Sequence, residues 1–239
     1  MISVIVPAHN EKENLEKLIP KLSGLAEGYD VEVLVCLSKD TTDNSEKING
    51  FKILKYLSCT KKGRAVQMNN GAASAKGETL VFLHADVKPP NGFFKDIEQT
   101  IANGYDAGFF SYKFDKENFF LRLNSFFTSK DGIFTGGGDQ CLFIKKAIFD
   151  ELDGFDEKHV LMEDFEFFRR MKARKVPYSI VKNDLVVSSR KYNNNSYLRV
   201  NLTNFLLVFL FKCGYAPEKL KRLHNRLLRL PYQNSTQEV

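Results

Sequence analysis

A chain of 239 residues, 43% hydrophobic and 27% charged, has apolar material for one large domain or two small ones, and its composition excludes extensive disorder. Its net charge of +6 is lopsided: residues 185–239 hold nine Lys and Arg against two Glu, which leaves residues 1–184 near −1. A body without basic excess and without a nucleic-acid motif disfavours nucleic acid as a partner.

In chain order, Ile2 to Val6 is a β-branched run closed by Pro7, the pattern of a buried strand. No basic region or cleavable signal pattern precedes it, and a cytoplasmic protein is expected. Asn10 is placed to cap a helix carrying Leu15, Leu18, Ile19 and Leu22 at helical spacing. Val31 to Leu37 reads as a second strand and Lys52 to Leu57 as an edge-like third. Residues 62–76 suit a helix with Ala65, Met68, Ala72 and Ala75 inward, closed by Gly77. Leu80 to Leu83 has the all-apolar character of a central strand, and Pro89-Pro90 ends any pairing beyond it.

Further on, a helix is expected over Phe93 to Ile101, a strand over Ala107 to Phe114 and a helix over 117–128. A short strand follows at Cys141 to Ile144. Leu161 to Met171 reads as a helix with Leu161, Phe165, Phe168 and Met171 inward, and Tyr178 to Val187 as a strand. Strands alternating with helices predict an α/β fold with a mostly parallel sheet. Cys36 and Cys141 lie within apolar runs and no CxxC occurs, so the four cysteines read as reduced core thiols.

Several short stretches have the chemistry of a site. Val6-Pro7-Ala8-His9-Asn10-Glu11 follows the first strand without a glycine, so it is neither a dinucleotide fingerprint nor a phosphate loop. Asp86 stands at the carboxyl end of the Leu80 strand, where open α/β sheets collect ligands. One strand-end carboxylate plus substrate phosphates suffices for Mg²⁺, and His84 is a softer candidate ligand that Mn²⁺ tolerates. Glu163-Asp164 opens a helix, where acidic residues satisfy free backbone amides or, alternatively, offer a general base. Glu166 and Arg170 read as a solvated i,i+4 pair. Gly136-Gly137-Gly138-Asp139-Gln140 allows backbone to approach a ligand closely.

The order of these stretches resembles the family 2 glycosyltransferases of the GT-A fold, a Rossmann-like mixed sheet flanked by helices. The likeness rests on Ile5-Val6-Pro7-Ala8-His9-Asn10-Glu11, Gly63 to Asn69, His84-Ala85-Asp86, Gly138-Asp139-Gln140, Glu163-Asp164 and Ser188-Ser189-Arg190-Lys191-Tyr192. In these details it is most similar to the subgroup annotated for arsenosugar-type biosynthesis. The resemblance implies inverting, metal-dependent transfer of a sugar from a nucleotide-diphosphate sugar to the hydroxyl of a small-molecule or lipid-linked acceptor. It assigns Pro7, Ala8, Glu11, Ser38, Arg64 and Asp86 to the donor, with Mg²⁺ or Mn²⁺ on Asp86. Gly138, Asp139 and Gln140 fall to the acceptor side, Asp164 with Glu163 to the base, and Arg190 to the diphosphate. Two departures stand out: Ser38 occupies the place of a uracil-reading Asp, and His84 replaces the first carboxylate of the Asp-x-Asp motif. They argue for the alternative of a non-catalytic nucleotide-sugar-binding or assembly protein, while the intact Asp86 and Glu163-Asp164 argue against it.

The resemblance covers 1–192. Residues 193–230 read as a basic, Phe-rich helical extension packed on that domain, and 231–239 as a flexible tail. Phe205 to Phe211 is seven apolar residues long, far short of the ~20 needed to span a bilayer. A helix packed on the domain or in a homodimer is the simplest expectation; the alternative is peripheral attachment through 199–229 to anionic lipid on the inner face of the membrane.

Overall fold

The computed structural model describes residues 1–116, 119–132 and 135–229, with the side chains of 119, 120, 123 and 127 outside that description. The tail expected over 231–239 lies outside the described residues. Strands β1 (Ile2–Ala8), β2 (Val31–Leu37), β3 (Leu54–Ser58) and β4 (Thr79–Phe82) pair in parallel, with β1 between β2 and β4. β5 (Val87–Lys88), β6 (Ala107–Phe114), β7 (Phe143–Lys145) and β8 (Tyr178–Val187) complete one sheet of order β3-β2-β1-β4-β7-β6-β8-β5. β7 runs antiparallel to β4 and β6, and β6 is parallel to β8.

Alternation along the central strands divides the core. Val4, Val6, Val33, Val35, Val81 and Leu83 face the side covered by α1 (Lys12–Leu25) and α3 (Phe93–Ala102). Ile5, Leu34, Leu80 and Phe82 face α2 (Arg64–Ser74), α5 (Lys146–Glu151) and α6 (Glu163–Ala173). There Phe82, Phe149, Phe155 and Phe167 pack with ring centroids 4.9–5.5 Å apart and fix α5 and α6 to β4.

The elements follow the sequence pattern, with differences that have physical causes. β1 continues through Pro7 to Ala8. In this parallel ladder Ile5 and Pro7 face β4, whose pairing stops at Phe82, so the missing N–H of Pro7 falls where no strand needs it. Asn10 does not cap α1. Its side chain accepts from the Thr42 amide at 2.8 Å, while Asp43, distant in sequence, accepts from the Lys12 amide at 2.7 Å. α6 is rotated from its expected face: Glu163, Glu166 and Phe167 turn inward with Phe168 and Met171. Phe165 packs instead towards a cluster of Leu207, Phe211 and Leu220. Glu166 and Arg170 are not a solvated pair. Glu166 is buried, and Arg170 adds a bond to the Gly154 carbonyl at 2.7 Å, bracing the segment before α6. Cys36, Cys59 and Cys141 are buried free thiols; Cys213 is exposed, at the end of a surface helix rather than in the core.

α4 (Phe119–Thr128) lies against β6, and α7 (Tyr197–Lys212) with α8 (Pro217–Leu227) forms a helical pair at the end of the described chain. The Phe205 to Phe211 run is only half covered: Leu207, Val208 and Phe211 are buried, while Phe205, Leu206 and Phe209 are exposed.

Candidate active site

The stretches singled out in the sequence meet at the carboxyl edge of the parallel strands. Three kinds of element bring them there: the ends of β1, β2, β4 and β8, the loop entering β7, and the first turns of α2 and α6. α2 is fastened to this edge by Gln67, whose amide donates to the carbonyls of Ala8 (2.8 Å) and Cys36 (2.7 Å). Gly71 allows the close approach, since a Cβ there would lie 2.5 Å from the Ile5 side chain. Ala8 and Ser38 are neighbours, the Ser38 amide donating to the Ala8 carbonyl at 2.9 Å.

β5 was not foreseen in the sequence. Val87 and Lys88 pair antiparallel with Val187 and Val186 before Pro89 ends the ladder. That short pairing brings Asp86 beside Arg190: the guanidinium is 3.1 Å from the Asp86 carboxylate and 3.4 Å from that of Glu11. Among the described residues no group of three or more His, Cys, Asp or Glu forms a ready metal cage. Asp86 is nevertheless a single, partly exposed carboxylate at a strand end, a donor set that suits an ion completing its shell with phosphate oxygens and water.

A second cluster lies over the β7 entry loop. Arg64, the first residue of α2, donates to Glu163 and sits 3.3 Å from Asp164. Arg64 is 40% exposed and Glu163 only 2%, so the pair is sealed on one side and open on the other. Burial acts to raise the Glu163 pKa, but the charge and hydrogen bond of Arg64 outweigh it, and the net shift is downward. Asp164 goes the other way: burial first, then the adjacent Glu163 charge, lift it to about 7 against the pull of Arg64. His84 is shifted down, by burial and then by Arg64, which favours the neutral imidazole. Its ring lines a small cleft with Asp164 and Gly136 to Gly138, walled by Phe82, Phe109 and Phe167. A Cβ on Gly138 would lie 2.5 Å from both the Asp164 carboxylate and the His84 ring.

Asp139 faces Lys191 at 3.3 Å, and the Lys191 charge is the main reason its pKa is held down. In the sequence Lys191 appears only within the Ser188 to Tyr192 stretch and is assigned no role there. Gln140 is buried, with its amide spent on the backbone: its carbonyl accepts from Gly136 N–H (2.9 Å) and its nitrogen donates to the Thr128 carbonyl (3.1 Å). It shapes the glycine loop. Arg64, expected on the donor side, is held by the acidic pair of α6.

The description Glycosyl transferase family 2 matches residues 3–176, well over half of the chain. The chain belongs to this family. Over 110 residues it is 29% identical to the dolichol-phosphate mannosyltransferase of Pyrococcus furiosus, covering 44% of this chain and 31% of that protein. Over 115 residues it is 24% identical to the undecaprenyl-phosphate 4-deoxy-4-formamido-L-arabinose transferase of Aeromonas hydrophila, covering 45% and 35%. The matched stretch thus spans about a third of the length of these curated relatives. Two solved structures share the fold: S. aureus TarS 1–349 in complex with UDP (TM-score 0.63, 18% identity, 93% of this chain and 69% of that one); and the mannosyltransferase PcManGT from Pyrobaculum calidifontis in complex with GDP-Man and Mn²⁺ (TM-score 0.63, 17% identity, 95% and 69%). The GT-A reading of the family 2 motifs is therefore borne out at the level of fold, and the match extends through the α6 acidic pair.

Proposed function

We propose that this family 2 chain transfers a glycosyl group, with inversion, from a nucleotide-diphosphate sugar to an acceptor hydroxyl. The observation that carries the reading is the divergence of two adjacent carboxyls at the start of α6, of which Asp164 lines the cleft. Glu163 is held ionised by Arg64, while Asp164 is lifted to about 7, the range suited to a general base at neutral pH. Asp164 takes the acceptor proton as the acceptor oxygen bonds to the anomeric carbon from the face opposite the diphosphate. The bond from that carbon to the diphosphate breaks, and the nucleoside diphosphate leaves with the electron pair. General-base help of this kind is typically worth ~10²–10⁴-fold in rate.

Pro7, Ala8, Glu11 and Ser38 frame the nucleoside at the ends of β1 and β2, and Arg190 faces the diphosphate. Asp86 would hold Mg²⁺ or Mn²⁺, with His84 a further candidate. Such an ion, when bound, neutralises the charge of the departing diphosphate. The UDP and GDP-Man complexes of structures with the same fold, one with Mn²⁺, support a nucleotide-sugar donor and a divalent cation. The names of the curated relatives support a lipid-phosphate acceptor, whereas the motif likeness to the arsenosugar-type subgroup supports a small soluble one.

A thermal-shift screen of nucleoside diphosphates and their sugars, with and without Mn²⁺, followed by product analysis with the stabilising donor, tests the reading. At a hundredfold excess over Kd a true donor adds about 2.7 kcal/mol of stability. Stabilisation without glycosyl transfer or donor hydrolysis would favour the non-catalytic binder; no stabilisation by any nucleotide would overturn both.

A further inference from the structure

From Phe205 to Phe211 α7 is apolar on every side, the composition of a helix enclosed all round, yet only part of it is enclosed. Val200, Thr203, Leu207, Val208 and Phe211 are buried against Tyr192, Leu228, Leu220 and the body of the fold. Leu198, Leu202, Phe205, Leu206 and Phe209 are 38–68% exposed. At about 100° per residue these five fall within an arc of roughly 100°, a continuous stripe along the helix opposite its buried side. Scattered apolar residues on a surface are ordinary, but an aligned stripe with two phenylalanines is not.

The charge beside the stripe indicates what covers it. Arg199, on the flank of α7, donates to the Leu227 carbonyl at 2.6 Å, so the end of α8 borders the stripe on that side. From Lys212 onward the surface of the described residues carries Lys219, Lys221, Arg222, Arg226 and Arg229, all exposed, against the single acid Glu218. A second copy packed on the same stripe in a two-fold dimer would oppose two such cationic surfaces. α7 is 16 residues, roughly 24 Å, and no helix among the described residues is long and apolar enough to cross a bilayer.

We infer that the α7 stripe and the basic face of α8 form a docking surface for an anionic lipid bilayer, with Leu198, Leu202, Phe205, Leu206 and Phe209 entering the headgroup–acyl boundary and the α8 cations meeting lipid phosphates. Phe165, next to Asp164, packs into the Leu207–Phe211–Leu220 cluster, so the docked helix is tied directly to the element bearing the candidate base. The inference does not depend on the transfer reaction.

Flotation of the full chain with phosphatidylcholine vesicles, and with vesicles of mixed phosphatidylcholine and phosphatidylglycerol, provides the test. The expected result is binding to the anionic vesicles at low salt that weakens by roughly tenfold or more in high salt or on the neutral vesicles. The Phe205→Ser/Phe209→Ser double variant should lose binding with an unchanged melting temperature, and Lys219→Glu/Arg222→Glu should lose it independently. No binding to anionic vesicles at low salt, or equal binding to both vesicle types, overturns the inference. So does a dimer in analytical ultracentrifugation that Phe205→Ser/Phe209→Ser dissolves, since the stripe would then belong to a second copy.

Discussion

The Arg190 guanidinium lies 3.1 Å from the Asp86 carboxylate, held there by the two-residue pairing of Val87–Lys88 with Val187 and Val186. Asp86 is partly exposed and Arg190 retains Glu11 as a second partner, so removing the carboxylate leaves no buried charge stranded. Asp86→Ala is therefore expected to melt within about 1 kcal/mol of the parent. Calorimetry with a nucleoside diphosphate, with Mn²⁺ or with EDTA, should show parent binding that depends on the ion and variant binding that does not. An Asp86→Ala variant with full Mn²⁺-dependent affinity would remove the residue from the donor site.

The Asp164 pKa of about 7 carries a pH signature. The base works only when ionised, so transfer should rise as pH increases through about 7 and level off above it. Stability moves the opposite way. The folded state holds this proton more tightly than the unfolded chain, so the Asp164 contribution falls as pH rises from the ordinary Asp value towards 7. Asp164→Asn should cost ~10²-fold or more in kcat while removing the stability loss. An unchanged pH–rate limb in that variant would assign the limb to another group.

What was legible in the sequence depended on whether the signal was local. β1, β2, β4 and β6 announce themselves as apolar runs because the sheet buries both faces. The α6 face was misread because Glu163 and Glu166 look polar; their burial is made tolerable by Arg64, 99 residues away, and by Arg170. A periodicity of side chains cannot report a partner on another helix. Capping of α1 by Asp43 failed to show for the same reason, and β5 is too short to leave a pattern. The candidate site residues were singled out through motif order; their grouping into an Asp86–Arg190 side and an Asp164–Arg64 side came only with the fold.

Arg64 neutralises a carboxylate that is otherwise sealed, since Glu163 is 2% exposed and its second oxygen has no hydrogen-bond partner among the described residues. Arg64→Ala strands that charge. Breaking a fully buried pair costs ~3–5 kcal/mol, but the open Arg64 side lets solvent screen the loss, so about 2 kcal/mol is expected in urea denaturation at neutral pH. Glu163 can recover by protonating, so the deficit should shrink as pH falls towards 5. Arg64→Ala with parent stability at neutral pH would mean that the pair contributes nothing to the fold.

Gly138 separates the candidate base from His84, and the space is filled by backbone. A methyl group there meets the Asp164 carboxylate and the His84 ring at 2.5 Å each, so one of the two side chains must give way. The neighbouring Gly136 and Gly137 belong to the same loop, which Gln140 braces through the Gly136 amide. The clash is therefore expected to displace the two side chains rather than unfold the loop. Gly138→Ala should lower kcat by about 10²-fold, the order of loss for a base misplaced by 1 Å, with a melting temperature reduced by only a few degrees. Donor affinity measured by calorimetry should stay near the parent value, because the nearest atoms a Cβ on Gly138 meets belong to Asp164 and His84, not to Asp86, Arg190 or Ser38. A Gly138→Ala variant that lost donor affinity and kept kcat would reverse the assignment of the two sides.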